Sequence, residues 1–342
     1  MKYISKLFLA LTLLFLALWQ LPWAYNFMTK EKPKHSFTLF SPLLKNFISN
    51  KVDEAGNLYS TDGENNYTKA ETDSLLPFFH YRQLIQDGRF PDAVGTQKIS
   101  PRHVQQTNFI FRSHPTDVNG PNLALYALLE SKSGRVNLEM PSDLFRTTAT
   151  GITFIDMKSN TINQKKSEEF TALLEKKGCQ FPLSRINGNG TNRKEYDNGY
   201  LLVDKQQQLF QLKMVAGHPF VRKIEVPGSI ELDAMFITEF RNRSMLAFVT
   251  DKQEQFYVIT LPDYEMRKIQ IPGFNAHKQQ ITIIGNLYAW TIHVKDALGS
   301  YYYGVDANNY QLYKQLRQTE KKKKKMWGIH FTSNLDNYMK IR

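Results

Sequence analysis

Eight histidines, one cysteine and one Gly-x-Gly are the residues with which this chain could do chemistry. A histidine metal site is most legible as His-x-His or His-Glu-x-x-His, where two imidazoles reach one ion. His35, His80, His103, His114, His218, His277, His293 and His330 include no such pair. Cys179 stands alone, so an intramolecular disulfide and a cysteine-rich zinc site are excluded. Its flank, Lys176-Lys177-Gly178-Cys179-Gln180-Phe181-Pro182, is no recognisable nucleophile setting, and an inert structural thiol is expected. A phosphate-binding glycine loop must follow a strand and open a helix. Gly188-Asn189-Gly190 lies in the polar stretch 185–193, which reads as a loop and does neither. No Gly-x-Ser-x-Gly elbow and no Walker loop occurs, and Asp and Glu cluster at turns. No catalytic, cofactor-binding or metal-ligating residue is therefore assigned, and no cofactor is expected.

The elements that would position any site are organised around a phrase that occurs twice. Arg222-Lys223-Ile224-Glu225-Val226-Pro227-Gly228 returns 45 residues on as Arg267-Lys268-Ile269-Gln270-Ile271-Pro272-Gly273. A period of this length is that of a four-stranded propeller blade. Around the phrase, Asp204-Lys205 returns as Asp251-Lys252, and Asp296 follows 45 residues later. These landmarks define blades at 199–228, 245–273 and 287–317. Within them Leu209, Gln211 and Lys213 alternate with Phe210, Leu212 and Met214 at the period of a strand. The phrase itself reads as a strand-and-turn cassette at the start of a blade strand, with Ile224/Val226 and Ile269/Ile271 facing inward. Three blades leave open ends, so the strand pairs at 52–60, 108–129 and 136–155 are expected to complete a ring, with 123–141 as one earlier blade. The fold class is mainly β, a β-propeller-like domain over 36–320 with a few inserted helices.

Two helical stretches stand out. Thr68 with Glu71 has capping-box spacing, and Pro77 should split 68–86 into two pieces ended by Gly88 and Pro91. The helix insertion at about 163–177 places Phe170, Leu173 and Leu174 on one face, with Gly178 as terminator.

The chain carries a formal net charge of +12. Residues 1–34 hold +4 of it and residues 321–342 hold +6, so 35–320 is left with +2. A near-neutral body speaks against nucleic acid as a partner. At the amino terminus Lys2 and Lys6 precede an apolar run from Leu7 to Trp19. A core of this length suits a cleaved signal peptide, but no small-x-small site follows it. Extended to Met28 it is long enough to cross a bilayer, with Trp19, Trp23, Tyr25 and Phe27 at the far interface. The expectation is a retained signal anchor over 1–29 that holds the membrane through residues 7–28. A linker at 30–35 follows, and the bulk of the chain is placed outside the cytoplasm. The run Lys321–Lys325 opens a basic tail over 321–342, read as a solvated end or a contact for anionic lipid.

Four segments carry a family resemblance: Leu76-Pro77-Phe78-Phe79-His80-Tyr81-Arg82-Gln83-Leu84, Gly88-Arg89-Phe90-Pro91-Asp92, Glu130-Ser131-Lys132-Ser133-Gly134-Arg135-Val136 and Ser142-Asp143-Leu144-Phe145-Arg146. They resemble an uncharacterised Bacteroidetes family, a domain of unknown function in membrane-anchored proteins. The resemblance implies association with ABC-type transporter systems and names no catalytic residue. The leading expectation is a single-pass protein of the inner (cytoplasmic) membrane. Its extracytoplasmic propeller-like module would bind a membrane protein, such as a transporter permease. The alternative is an envelope hydrolase or lyase acting on glycan or peptide, with polar residues gathered at the propeller mouth. A deep pocket with buried ionisable groups would favour the enzyme, and an exposed apolar patch the binding module.

Overall fold

The computed structural model describes residues 2–28, 37–53, 56–94, 97–121, 123–319, 329–330 and 340–341. Helix α1 (Lys2–Met28) comes first and contains Pro22. It is long and apolar enough over Tyr3–Tyr25 to cross a membrane, and its most apolar stretch is not buried against the rest of the chain. The expected linker at 30–35 and the run Lys321–Lys325 lie outside the described residues.

The remainder is mainly β, in antiparallel sheets that follow the chain. The first sheet is β1 (Phe37–Ser41), β2 (Asn46–Val52), β3 (Leu58–Thr61) and β4 (Asn66–Tyr67), in that order. A helical corner follows with α2 (Lys69–Leu75), α3 (Tyr81–Gln86), the hairpin β5 (Ala93–Val94) and β6 (Gln97–Lys98), and α4 (Pro101–Thr107). Strand β7 (Phe109–Ser113) and helix α5 (Pro115–Asn119) come next.

The second unit is the hairpin β8 (Asp143–Thr147) and β9 (Ile152–Asp156), covered by α6 (Gln164–Lys176). Single bridges at Tyr126↔Phe145 and Ile155↔Ile162 widen this hairpin to a rudimentary four-stranded meander. The third sheet is β10 (Arg185–Gly188), β11 (Tyr200–Val203), β12 (Leu209–Val215) and β13 (His218–Ile224). The fourth is β14 (Leu232–Ile237), β15 (Met245–Asp251), β16 (Phe256–Thr260) and β17 (Met266–Ile269). The fifth is β18 (Gln280–Gly285), β19 (Ala289–Lys295), β20 (Gly299–Asp306) and β21 (Leu312–Thr319). Strand β7 adds to its inner edge, pairing with β18 as Phe111↔Ile283. Short β22 (Ile329–His330) pairs with β23 (Lys340–Ile341).

Apolar side chains between sheets join these units into a row. Phe145, Phe154 and Phe170 meet Tyr200, Phe210 and Leu212 between the second and third units. Leu201, Val203 and Leu209 meet Leu246, Val249 and Ile259 between the third and fourth. Phe248, Phe256 and Val258 meet Ile281, Trp290 and Ile292 between the fourth and fifth. Phe40 and Phe47 of the first sheet pack on Ala289 and Tyr302 of the fifth. Each fully buried Phe removes enough apolar surface from water to be worth roughly 2 kcal/mol, so these contacts fix the order of the units. No hydrophobic cluster among the described residues joins the first sheet to the second unit.

Several expectations need correction. The stretch 123–141 is not a blade: apart from single bridges at Tyr126 and Glu130 it forms no strand, because its apolar residues lack the neighbours a ladder requires. Residues 109–113 do form a strand, but it belongs to the last sheet and not to an earlier blade. The polar stretch 185–193 begins with strand β10, whose half-buried Arg-Ile-Asn-Gly pattern carries no β signal. The repeated phrase closes an outer strand and does not start one, since β13 ends at Ile224 and β17 at Ile269. Ile224, Ile269 and Ile271 are buried, as the alternation implied, and Val226 is half-buried.

Candidate binding site

One apolar cavity draws part of its lining from the corner between α2 and α3. Helix α2 starts at a true capping box, in which Glu71 N–H donates to Thr68 Oγ1 and Thr68 N–H donates to Glu71 Oε2 at 2.8 Å. Pro77 has no N–H with which to continue the helix, and α2 stops at Leu75. Leu76 and Phe78 of the corner are buried, while Phe79 is 41% exposed. The corner is pinned by Asn108 at the end of α4, whose Nδ2 donates to Phe78 O at 2.6 Å.

Around the corner a cavity of about 290 Å³ opens. Leu39, Phe40 and Pro42 form one wall, Phe109 and Ile110 of β7 another, and Ile284 and Thr291 the floor. Thr291 Oγ1 accepts from Phe40 N–H at 2.8 Å and so ties β1 to β19. Two strand glycines give the wall rings their room. A Cβ on Gly285 would lie 2.1 Å from the Phe109 ring, and one on Gly304 would lie 2.3 Å from the Phe40 ring. None of the lining residues is ionisable. The Asn108 amide must aim its nitrogen at Phe78 O, which leaves Oδ1 as an acceptor; that atom is buried and has no partner. Phe37 (40% exposed), Phe79 and Ile110 (53% exposed) surround the mouth, with Phe37 and Phe79 ring centroids 5.3 Å apart.

The most deeply buried ion cluster lies elsewhere and is internally paired. Lys194 Nζ reaches Asp197 Oδ1 at 2.6 Å and Glu239 Oε1 at 2.7 Å, with all three side chains at most 5% exposed. Ser131 Oγ donates to Asp197, and Asn189 Nδ2 and Asn198 N–H donate to Glu239. Burial pushes the Glu239 carboxyl above its usual range, against the pull of Lys194. This cluster fastens the β10–β11 loop to the β14–β15 loop, and its acceptors are taken. Gly188 and Gly190 serve the other side of the third sheet, toward the second unit: a Cβ on Gly188 would strike the Tyr200 ring, and Tyr200 OH donates to Ala127 O. The Gly-x-Gly therefore makes room for a tyrosine.

Cys179 is buried, and burial pushes its thiol up to about 12, with Asp204 and Glu175 adding to the shift. A thiol so protonated is no nucleophile at neutral pH. The phrase copies differ in their contacts. The Arg222 guanidinium stacks 3.8 Å above the Tyr264 ring of the next sheet, whereas Arg267 pairs with Glu265 at 2.6 Å. The first copy, together with Asp263–Met266 just before the second, borders an open groove of mixed charge between the third and fourth sheets, without a buried ionisable group. Among the described residues, no three His, Cys, Asp or Glu side chains gather where a metal ion could be held.

The family described as Domain of unknown function (DUF4857) matches residues 37–305. The chain belongs to this family. The DUF4857 domain thus begins at β1, ends within β20, and contains every residue of the cavity. No curated protein matches the chain in sequence. Among solved structures it is similar to the WD40 domain of SCAP from fission yeast, at 8% identity and a TM-score of 0.30. The likeness covers 82% of this chain and 57% of that one, so the chain spans little more than half of that structure's length.

Sequence reading assigned no site residue; it singled out Leu76–Leu84 as a helical stretch and a carrier of the family resemblance, and did not connect it with Phe40, Asn108 or Thr291. The signal that could have found them is a glycine inside each of two apolar strand runs, Ile283-Ile284-Gly285 and Tyr303-Gly304-Val305, which marks a close approach.

Proposed function

We propose that the chain is a single-pass, membrane-anchored binding module. Its propeller-like row of blades lies outside the cytoplasm and serves as accessory to a membrane-protein partner. The family resemblance makes an ABC-type transporter permease the partner of choice. One observation carries this reading: large apolar side chains stay exposed where the row is open, while the deep carboxylates are engaged by ion pairs or by N–H and O–H donors of the fold. Leu123 is 90% exposed and Val136 98%, and Met140, Met157 and Ile162 are exposed in the same unit. Apolar surface left open in this way suits a protein partner. A propeller-like arrangement is supported by four-stranded meanders in chain order and by β7, which brings early chain into the last sheet as a ring-closing strap would.

The test is photo-crosslinking in native membranes from a benzophenone amino acid at position 123 or 136. The expected result is one dominant adduct with an integral membrane protein, weakened by Leu123→Glu or Val136→Glu. Recovery of no membrane protein from either position would refute the partner. For topology, an alkaline phosphatase fusion at residue 60 should be active, and an inactive fusion would place the domain on the cytoplasmic side.

A further inference from the structure

We propose that the cavity between β1, β7, β18 and the α2–α3 corner binds one hydrocarbon chain of a membrane lipid, headed by a neutral hydrogen-bond donor. The lining fixes the chemistry. Four phenylalanines, Leu39, Leu76 and Ile284 offer dispersion contacts and no charge. A free carboxylate or ammonium would lose its hydration there with no counter-ion in return. Asn286 has its Oδ1 taken by the Tyr288 and Ala289 N–H groups, and the buried lining atom left without a partner is the Asn108 Oδ1 acceptor, which a hydroxyl or amide N–H satisfies. At about 290 Å³ the space is roughly twice that of a cavity known to admit benzene, which suits a chain of about ten carbons.

Position names the source. Phe37, at the mouth, comes only nine residues after Met28, the last residue of α1. A polypeptide spans at most about 3.5 Å per residue, so the mouth stays within roughly 30 Å of the end of the anchor. With α1 in a bilayer, Phe37, Phe79 and Ile110 are held close to the lipid surface, and exposed aromatic side chains partition well into that interface. A lipid chain leaving the outer leaflet enters between them without crossing open water.

Trp290 supplies the readout, because its ring lies 5.3 Å from Phe109 and its neighbour Thr291 lines the cavity. The experiment uses the full chain in nanodiscs, with Trp19→Phe, Trp23→Phe and Trp327→Phe leaving Trp290 as sole fluorophore. An ω-bromodecanol should quench Trp290 saturably. Decanol should displace it about fivefold better than decyl methyl ether, which lacks the donor, as one neutral hydrogen bond implies, and decanoate should compete worst. Asn108→Leu should erase the advantage of decanol over the ether, and Ile284→Phe, which fills the space, should abolish quenching. In the same nanodiscs, a ceramide brominated along its acyl chain, whose amide N–H and hydroxyls are neutral donors, should quench Trp290 as well. Absence of saturable quenching, or equal competition by decanol, ether and decanoate, would overturn the site without recourse to any cavity variant. Quenching by the alkanol but not by the brominated lipid would overturn the membrane source. Neither outcome touches crosslinking from positions 123 and 136, so the partner reading stands or falls separately.

Discussion

At the scale of single residues, Cys179 and His80 carry burial-driven shifts that solution measurements can read. The Cys179 thiol, pushed up to about 12 by burial, should not react with a disulfide reagent in the folded protein at pH 8. Labelling should instead follow unfolding and become complete in denaturant; rapid stoichiometric labelling of native protein would show an accessible thiolate. His80 offers a pH test. It caps α3 and lies 3.4 Å from Asp73, yet burial lowers its pKa more than Asp73 raises it. A histidine with a folded pKa below its unfolded value of about 6.5 is protonated preferentially when unfolded. Its contribution to stability is thus complete above that pH and is lost as pH falls below it. Denaturation midpoints should drop between pH 7.5 and pH 5, and His80→Gln should shrink that drop. An unchanged drop would assign the acid sensitivity to other groups.

At the scale of elements, much of the chain could be read in advance, for a local reason. Capping boxes, proline breaks and terminating glycines act within a few residues, so Thr68/Glu71, Pro77 and Gly178 marked α2, α3 and α6 correctly. The Asp-Lys landmarks are equally local. Asp204 Oδ1 accepts from Gln206 N–H and Gln208 N–H, and Asp251 Oδ1 accepts from Gln253 N–H and Gln255 N–H. The repeat is thus a hairpin-turn device. Asp204 is fully buried and also accepts from Gln180 N–H, whereas Asp296 is half-buried and accepts from Leu298 N–H, Gly299 N–H and the Gln279 side-chain amide. Leaving buried donors unsatisfied costs about 1–3 kcal/mol. Asp204→Ala should therefore lose about 3 kcal/mol, and Asp296→Ala about 1 kcal/mol, in chemical denaturation. Equal losses would mean the turns do not differ in burial. What sequence could not deliver is long-range. The pairing of β7 with β18 spans some 170 residues, and the cavity is walled by side chains from five separate segments, none of which announces the others.

At the scale of the whole molecule, the row of units is held by apolar interfaces and by a deeply buried ionic fastening between the third and fourth sheets. Lys194, Asp197 and Glu239 join the loops of the third and fourth sheets, and one cation there faces two buried carboxylates. Burial already drives the Glu239 carboxyl upward, and Lys194 is the charge that opposes the shift. Lys194→Met would leave both carboxylates buried without a counter-charge, a change that costs about 3–5 kcal/mol. The sign of the pH dependence follows. A carboxyl whose folded pKa is raised binds its proton more tightly when folded, so protonation restores stability as pH falls through that value. The variant should be most destabilised near pH 8 and should recover part of the loss at pH 5, opposite to the trend expected from His80. Adding Glu239→Gln should recover a similar part at pH 8, because the amide keeps the donors from Asn189 and Asn198 partly engaged without the charge. Should Lys194→Met instead lose the same stability at every pH, the cluster would be acting through packing alone. The third and fourth sheets would then be held together chiefly by Leu201, Leu209 and Leu246, without help from the buried charge.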